Sequence, residues 1–153
     1  MFLFAIINEI VEFLPPKYYD FYLEGINTDL LVIAALMNKI DPYFYSSLEQ
    51  KTENMIFFLS PVYKWLVDLF SNPFILLFSY RLLDLLFCFG NWSLVVAPLA
   101  IILGHRKQFI LSKNMEEITT IFSDIATSMT DVEIPFVINS VYEMCILTDM
   151  LST

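Results

Sequence analysis

The sequence predicts an all-α domain of short, irregularly packed helices, and three observations carry that expectation. The 153 residues hold only three glycines, and no segment shows the strict apolar–polar alternation of a half-buried strand. Most of the seven prolines stand where a helix would begin or end. Where periodicity is strong it is helical: Val62, Trp65, Leu66, Leu69 and Phe70 recur at i, i+3, i+4, i+7 and i+8.

The first helix is expected over residues 2–14, stopped by Pro15-Pro16. A short segment over about 18–24 ends at Gly25, and Thr28 can cap a helix from Asp29 to Met37. Asp41 followed by Pro42 opens the next, and a short apolar helix falls around 52–58. Ser60-Pro61 opens the helix carrying Trp65 and Phe70. Asn72-Pro73 opens another that runs to a stop at Gly90. This one is apolar nearly all round, so a central, buried place is expected for it, with Arg81 and Asp84 as an i, i+3 pair. A helix from about Trp92 to Ile110 contains Pro98, which should kink it or delay its regular start. Asn114-x-x-Glu117 is a capping box for 115–129, and a last helix covers about 131–150. No repeat, linker or low-complexity stretch divides the chain, so residues 1–153 read as one domain.

The apolar fraction is 58% and the mean hydropathy +0.65, against about 45–50% apolar in an ordinary soluble domain. A 17.8 kDa globule has trouble hiding that much apolar surface, so lipid or another protein is expected to cover part of it. The net charge of −9 is unevenly placed. No Lys or Arg follows Lys113, whereas Glu116, Glu117, Asp124, Asp131, Glu133, Glu143 and Asp149 do. Such a surface repels phosphate, which argues against nucleic acid as a partner; it reads first as a solubilising face, with a basic protein region as the alternative. Cys88 and Cys145 are too few for a disulfide framework and are expected buried and reduced, which fits a cytoplasmic setting. Glu9 and Glu12 interrupt the first apolar run and no basic stretch precedes it, so a signal peptide is not expected.

Leu85 to Gly104 is 20 residues without a charge, the length of a membrane-spanning helix. Gly90-Asn91-Trp92-Ser93 in its middle reads as a helix stop followed by a cap, and Pro98 follows. Two buried helices meeting at an angle are therefore expected. Arg106, Lys107 and Lys113 could still serve as the inside flank of a small multispanning membrane protein, which is the rival from another class.

The order of motifs favours a different reading. Leu23-Glu24-Gly25 is followed by Asp29-Leu30-Leu31, by Asp41-Pro42-x-x-Tyr45 with Leu48, by Trp65 and Phe70-Ser71, by Pro73, and by Arg81-x-x-Asp84 with Gly90. This series resembles the C-terminal half of the TBC domain of Rab GTPase-activating proteins, over about residues 18–110. There a DP-x-x-Y-x-x-L segment precedes a W-x-x-x-x-F helix and an R-I-W-D helix ending in Gly. Leu83 stands where that last motif has its tryptophan. The resemblance implies an irregular multi-helix fold like the C-terminal lobe of a TBC domain, in which Trp65, Phe70, Arg81, Asp84 and Gly90 are structural. Trp65 and Phe70 are expected at the boundary between core and solvent. Arg81 and Asp84 are expected to satisfy each other or nearby backbone carbonyls in an otherwise apolar setting.

The resemblance also implies a catalytic apparatus: an arginine from I-x-x-D-x-x-R that stabilises charge on the transferring phosphoryl group, and a glutamine from Y-x-Q that positions water. Neither pattern occurs in this sequence. Three residues before Arg81 and Arg106 stand Phe78 and Leu103, and two residues before Gln50 and Gln108 stand Leu48 and Arg106. His105 is the only histidine, so neither a histidine-based metal cluster nor a triad can be assembled, and a helix-end role is expected for it. There is no Gly-rich phosphate loop. No catalytic residue, metal or cofactor is expected.

The expectation is therefore a binding or regulatory module of the Rab GTPase-activating class. Its partner would be a small GTPase of the Rab type, a complementary lobe or a second copy, in the cytoplasm with peripheral contact to endomembranes. One half of a split GTPase activator is the alternative. Geometry singles out the first helix for contact. Asn8, Glu9 and Glu12 make one polar stripe, and the apolar residues sweep roughly 200°, about twice what docking on one core needs. Phe4 and Val11 sit together at one edge of that arc and are the partner-binding candidates, unless the acidic last helix folds over them.

Overall fold

The computed structural model describes the backbone of residues 2–129 and 133–151, with side chains over 8–129 and 133–144. The described residues are all-α. In chain order the helices are α1 (Phe2–Phe13), α2 (Glu24–Ile40), α3 (Pro42–Thr52), α4 (Met55–Phe58), α5 (Ser60–Val67), α6 (Leu76–Phe89), α7 (Trp92–Gly104), α8 (Arg106–Leu111), α9 (Met115–Ser128) and α10 (Glu133–Leu151).

Helix α7 is the axis. It carries no charge, and Ser93 through Leu99, Ile101 and Ile102 are all buried. A helix apolar on every side needs neighbours on every side, and α2, α6 and α10 supply them. Pro98 lies within the helix without ending it. The chain instead breaks at His105, which closes α7 and opens α8; its Nδ1 lies 2.9 Å from the Ile101 carbonyl. The single helix expected over 92–110 is thus two.

Beside this axis an aromatic core links α3, α8, α4, α9, α5 and α6. Phe44 of α3 approaches Phe109 of α8, Phe109 approaches Phe58 of α4, and Phe58 approaches Phe122 of α9. Phe122 meets Trp65 of α5 edge to face at 5.4 Å. Trp65 then packs on Phe70 and Phe74, and Phe74 stacks on Phe78 of α6 at 4.8 Å. Trp65 and Phe70 are fully inside rather than at the core boundary. The reason is a reversal: α5 ends at Val67, Leu69 and Phe70 take positive φ of 46° and 58°, and the Phe70 N–H donates to the Trp65 carbonyl at 2.7 Å. The turn folds the phenylalanine back under the tryptophan. The buried Ser79 hydroxyl holds it there by donating to the Phe70 carbonyl at 2.6 Å.

Several helix signals act as expected. Asp41 Oδ1 accepts from the Phe44 N–H with Pro42 in the first turn. Asn114 Oδ1 accepts from the Glu117 N–H, and Glu117 reaches back to the Lys113 N–H. Gly90 closes α6 at φ 70°, its N–H donating to the Leu86 carbonyl.

Others act differently. Residues 18–23 are turns, and Gly25 lies inside the first turn of α2 rather than ending a helix. A Cβ on Gly25 would come within 2.9 Å of the Tyr18 Cα, so the glycine lets two backbones touch. The start of α2 is held by Asp20, whose Oδ1 accepts from the Tyr22 and Glu24 N–H groups. Thr28 is no cap: its hydroxyl donates to the Glu24 carbonyl inside the helix. Asn91 makes no capping bond either; the Ser93 hydroxyl instead donates to the Gly90 carbonyl.

Candidate interaction surface

The charged groups divide into those that hold the fold and those left at the surface. Arg106 belongs to the first kind. Its guanidinium pairs with Asp41 and lies 5.9 Å from the centre of the Phe44 ring. The carboxyl of Asp41 is held below its usual range, first by the Phe44 N–H and then by Arg106, against an opposing effect of burial. Lys51 likewise donates to the Phe109 and Ile110 carbonyls at the end of α8, at 3.1 and 2.5 Å. Arg81 and Asp84 belong to the second kind: they form the expected i, i+3 pair at 3.7 Å with both side chains largely in solvent, where such a pair contributes little.

Helix α6 is the largest departure from expectation. Phe78, Ser79, Leu82, Leu85 and Leu86 are buried, but the other side of the helix is not. Leu76, Leu77, Tyr80 and Phe87 are exposed apolar residues, and Cys88 is exposed rather than buried. An all-round apolar helix needs cover on all sides; among the described residues α7, part of α10, the Phe70–Phe74 segment and Phe13 of α1 cover α6 and leave its outer face open. The signal for this was in the sequence. Arg81 and Asp84 mark the face that no core can accept, and a charged pair three residues apart points to solvent more readily than to an internal ion pair.

Along the flank of α6 lies α1. Phe13 packs edge to face on Phe87 at 5.2 Å and Leu14 is buried. Val11 is 52% exposed, while the side chain of Phe4 lies outside the described residues, as does that of Cys145. The acidic α10 runs along α7 and α6, with Phe89 against Tyr142. Between α6 and α10 an open cleft of about 300 Å³ is lined by Leu77, Arg81, Ile134, Pro135, Ile138 and Asn139. Exposed aromatics also crown the α1–α2 turn, where Phe21 packs on Tyr22.

One polar arrangement went unforeseen. Tyr18 Oη and Asp29 Oδ2 are both buried, and neither has a hydrogen-bond partner among the described residues. Burial pushes the Asp29 carboxyl up to about 6. It also raises the Tyr18 phenol, with the nearby Asp29 charge adding to the effect.

Among the described residues, no three of His, Cys, Asp and Glu come together in a way that would hold a metal ion. None of the described helices is long and apolar enough to cross a membrane: Leu85 to Gly104 is divided at Gly90 between α6 and α7.

The sequence profile of the Rab-GTPase-TBC domain matches residues 3–111, extending the likeness N-terminally through α1. A TBC domain-containing protein of Schizosaccharomyces pombe is 26% identical over 123 residues. That alignment covers 80% of this chain and 16% of the relative, so the chain spans a small part of the length of the protein it matches. No solved structure matches the chain.

Proposed function

The chain belongs to the Rab-GTPase-TBC domain family, and from that premise we propose that it is a regulatory binding module for a small GTPase of the Rab type, without catalytic fingers of its own. One observation supports this above others: the place of the two arginines. A catalytic arginine stabilises charge on the transferring phosphoryl group, and the family pattern implies that it comes from I-x-x-D-x-x-R. Arg106 is committed to Asp41 and Phe44, and its guanidinium closes the joint between α3 and α8. Arg81 projects from α6, three residues after Phe78 rather than after an acid. Gln50 and Gln108 do not follow a tyrosine by two residues. Binding without chemistry is the activity this reading assigns to the chain, and where a complementary lobe supplies the fingers, the chain completes it.

The work of such a module lies at membranes carrying the GTPase, reached by peripheral contact. The test is direct binding of the purified chain to a panel of Rab-type GTPases loaded with a non-hydrolysable GTP analogue, followed by fluorescence anisotropy. Saturable binding to at least one member is expected. Absence of binding across the panel, by a chain shown to be folded, overturns the reading.

A further inference from the structure

We propose that a second copy of this chain docks on the outer face of α6, antiparallel, about a two-fold axis passing midway between Arg81 and Asp84. The face is apolar on one side, where Tyr80 and Phe87 are exposed, with the Phe13 ring against Phe87 and Leu83 half-buried behind them. On the other side run Leu77, Arg81, Asp84 and Cys88. Its charged doublet is one base and one acid three residues apart, at 3.7 Å and in solvent.

That doublet decides the occupant. A two-fold pairing brings the same surface to itself with direction reversed, so a residue N-terminal to the axis meets one as far C-terminal to it. Arg81 then faces Asp84 of the second copy, and Asp84 faces its Arg81. Two unlike pairs form where a parallel arrangement would set like charges together. The same symmetry brings the exposed Tyr80 towards Phe87 of the second copy, with the reciprocal contact alongside. Leu77 meets Cys88 of the second copy. With a net charge of −9 on each copy, association works against overall repulsion. Arg81 is the only cation between Lys64 and Arg106, and this register places it against an acid. A helix of 14 residues is about 21 Å long, so the contact is at the small end of specific interfaces and the dimer dissociates on dilution.

The experiment uses the full chain. Sedimentation equilibrium should show a monomer–dimer equilibrium. Arg81→Asp and Asp84→Arg should each shift it to monomer by at least tenfold in dissociation constant, and the double swap should restore most of the loss. Helicity by circular dichroism should be unchanged in all three, since these side chains are exposed. Register is read separately by oxidation. In a Cys145→Ser background, Leu77→Cys should give a reducible dimer through Cys88 of the other copy. The native Cys88 alone should not, because the two Cys88 residues would lie about 16 Å apart along the pair, beyond disulfide reach. Within one chain, residues 77 and 88 are equally far apart. A chain that stays monomeric at all concentrations overturns the proposal. So does a dimer indifferent to charge reversal, a double swap that fails to restore, or Cys88 linking to itself without Leu77→Cys. None of these outcomes bears on GTPase binding, so failure here leaves that reading standing.

Discussion

Asp41 and Arg106, 65 residues apart, are joined by an ion pair that closes over the ring of Phe44. The same carboxylate caps α3 through the Phe44 N–H, so one side chain fixes a helix start and ties it to the α7–α8 break. Asp41→Ala should therefore cost more than Arg106→Ala, because it removes the cap and the ion pair together. Asp41→Asn should keep most of the cap. Chemical denaturation of the three variants checks the order. Because the Asp41 carboxyl is held below its ordinary value of 3.8, its contribution is present above that value and lost as the pH falls through the lower folded one.

Asp29 has the opposite sign. Its carboxyl rises from 3.8 to about 6 in the fold through burial, so the folded chain holds that proton more tightly than the unfolded chain. The resulting stabilisation is complete below about pH 4 and disappears as the pH rises through about 6. Asp29→Asn should flatten that part of the stability profile and stabilise the chain at pH 7.5 by about 1–2 kcal/mol, a figure reduced for the partial exposure of the site. Thermal melts from pH 4 to 8 measure it. An unchanged slope in the variant would show that another group carries the dependence.

The glycines separate close approach from mere helix punctuation. Gly25→Ala sets a Cβ against the backbone of Tyr18 and should cost about 1–3 kcal/mol. Gly104→Ala meets open space at the end of α7 and should stabilise by about 0.5–1 kcal/mol. Opposite signs of the change in melting temperature are expected.

Helix boundaries were legible where local chemistry sets them, whereas Asn72-Pro73 does not open α6, which begins at Leu76. Asp41-Pro42, Asn114 and Gly90 each act on backbone groups within four residues, and each works as its sequence suggests. Gly25 and the end of α5 were not legible, because what decides them is how the chain turns back on itself within a few residues, which helical periodicity does not show. Tyr18 needs Gly25 to be small, and the Trp65 ring needs Phe70 beneath it. The family pattern in residues 18–110 was readable from motif order, and the profile match to residues 3–111 extends it. The outer face of α6 was misjudged for a related reason. Apolar residues on all sides of a helix say that cover is needed, not whether the same chain provides it.

The Phe70 turn offers a test of the aromatic core. Ser79→Ala removes the donor to the buried Phe70 carbonyl and should cost about 1–3 kcal/mol. Adding Trp65→Ala should cost about 3–5 kcal/mol more, with less than additive loss, because both act on the same turn. A double-mutant cycle in urea gives the coupling. Strict additivity would mean that ring and hydroxyl act independently.

The measurement that bears most directly on function is single-turnover GTP hydrolysis by a Rab-type GTPase that binds the chain, with rising concentrations of the chain at saturation. An unchanged hydrolysis rate is expected, because Arg106 is held by Asp41 and Phe44 and no glutamine stands two residues after a tyrosine. A saturable acceleration above tenfold, abolished by Arg81→Ala, would contradict it and make the exposed arginine of α6 a catalytic residue.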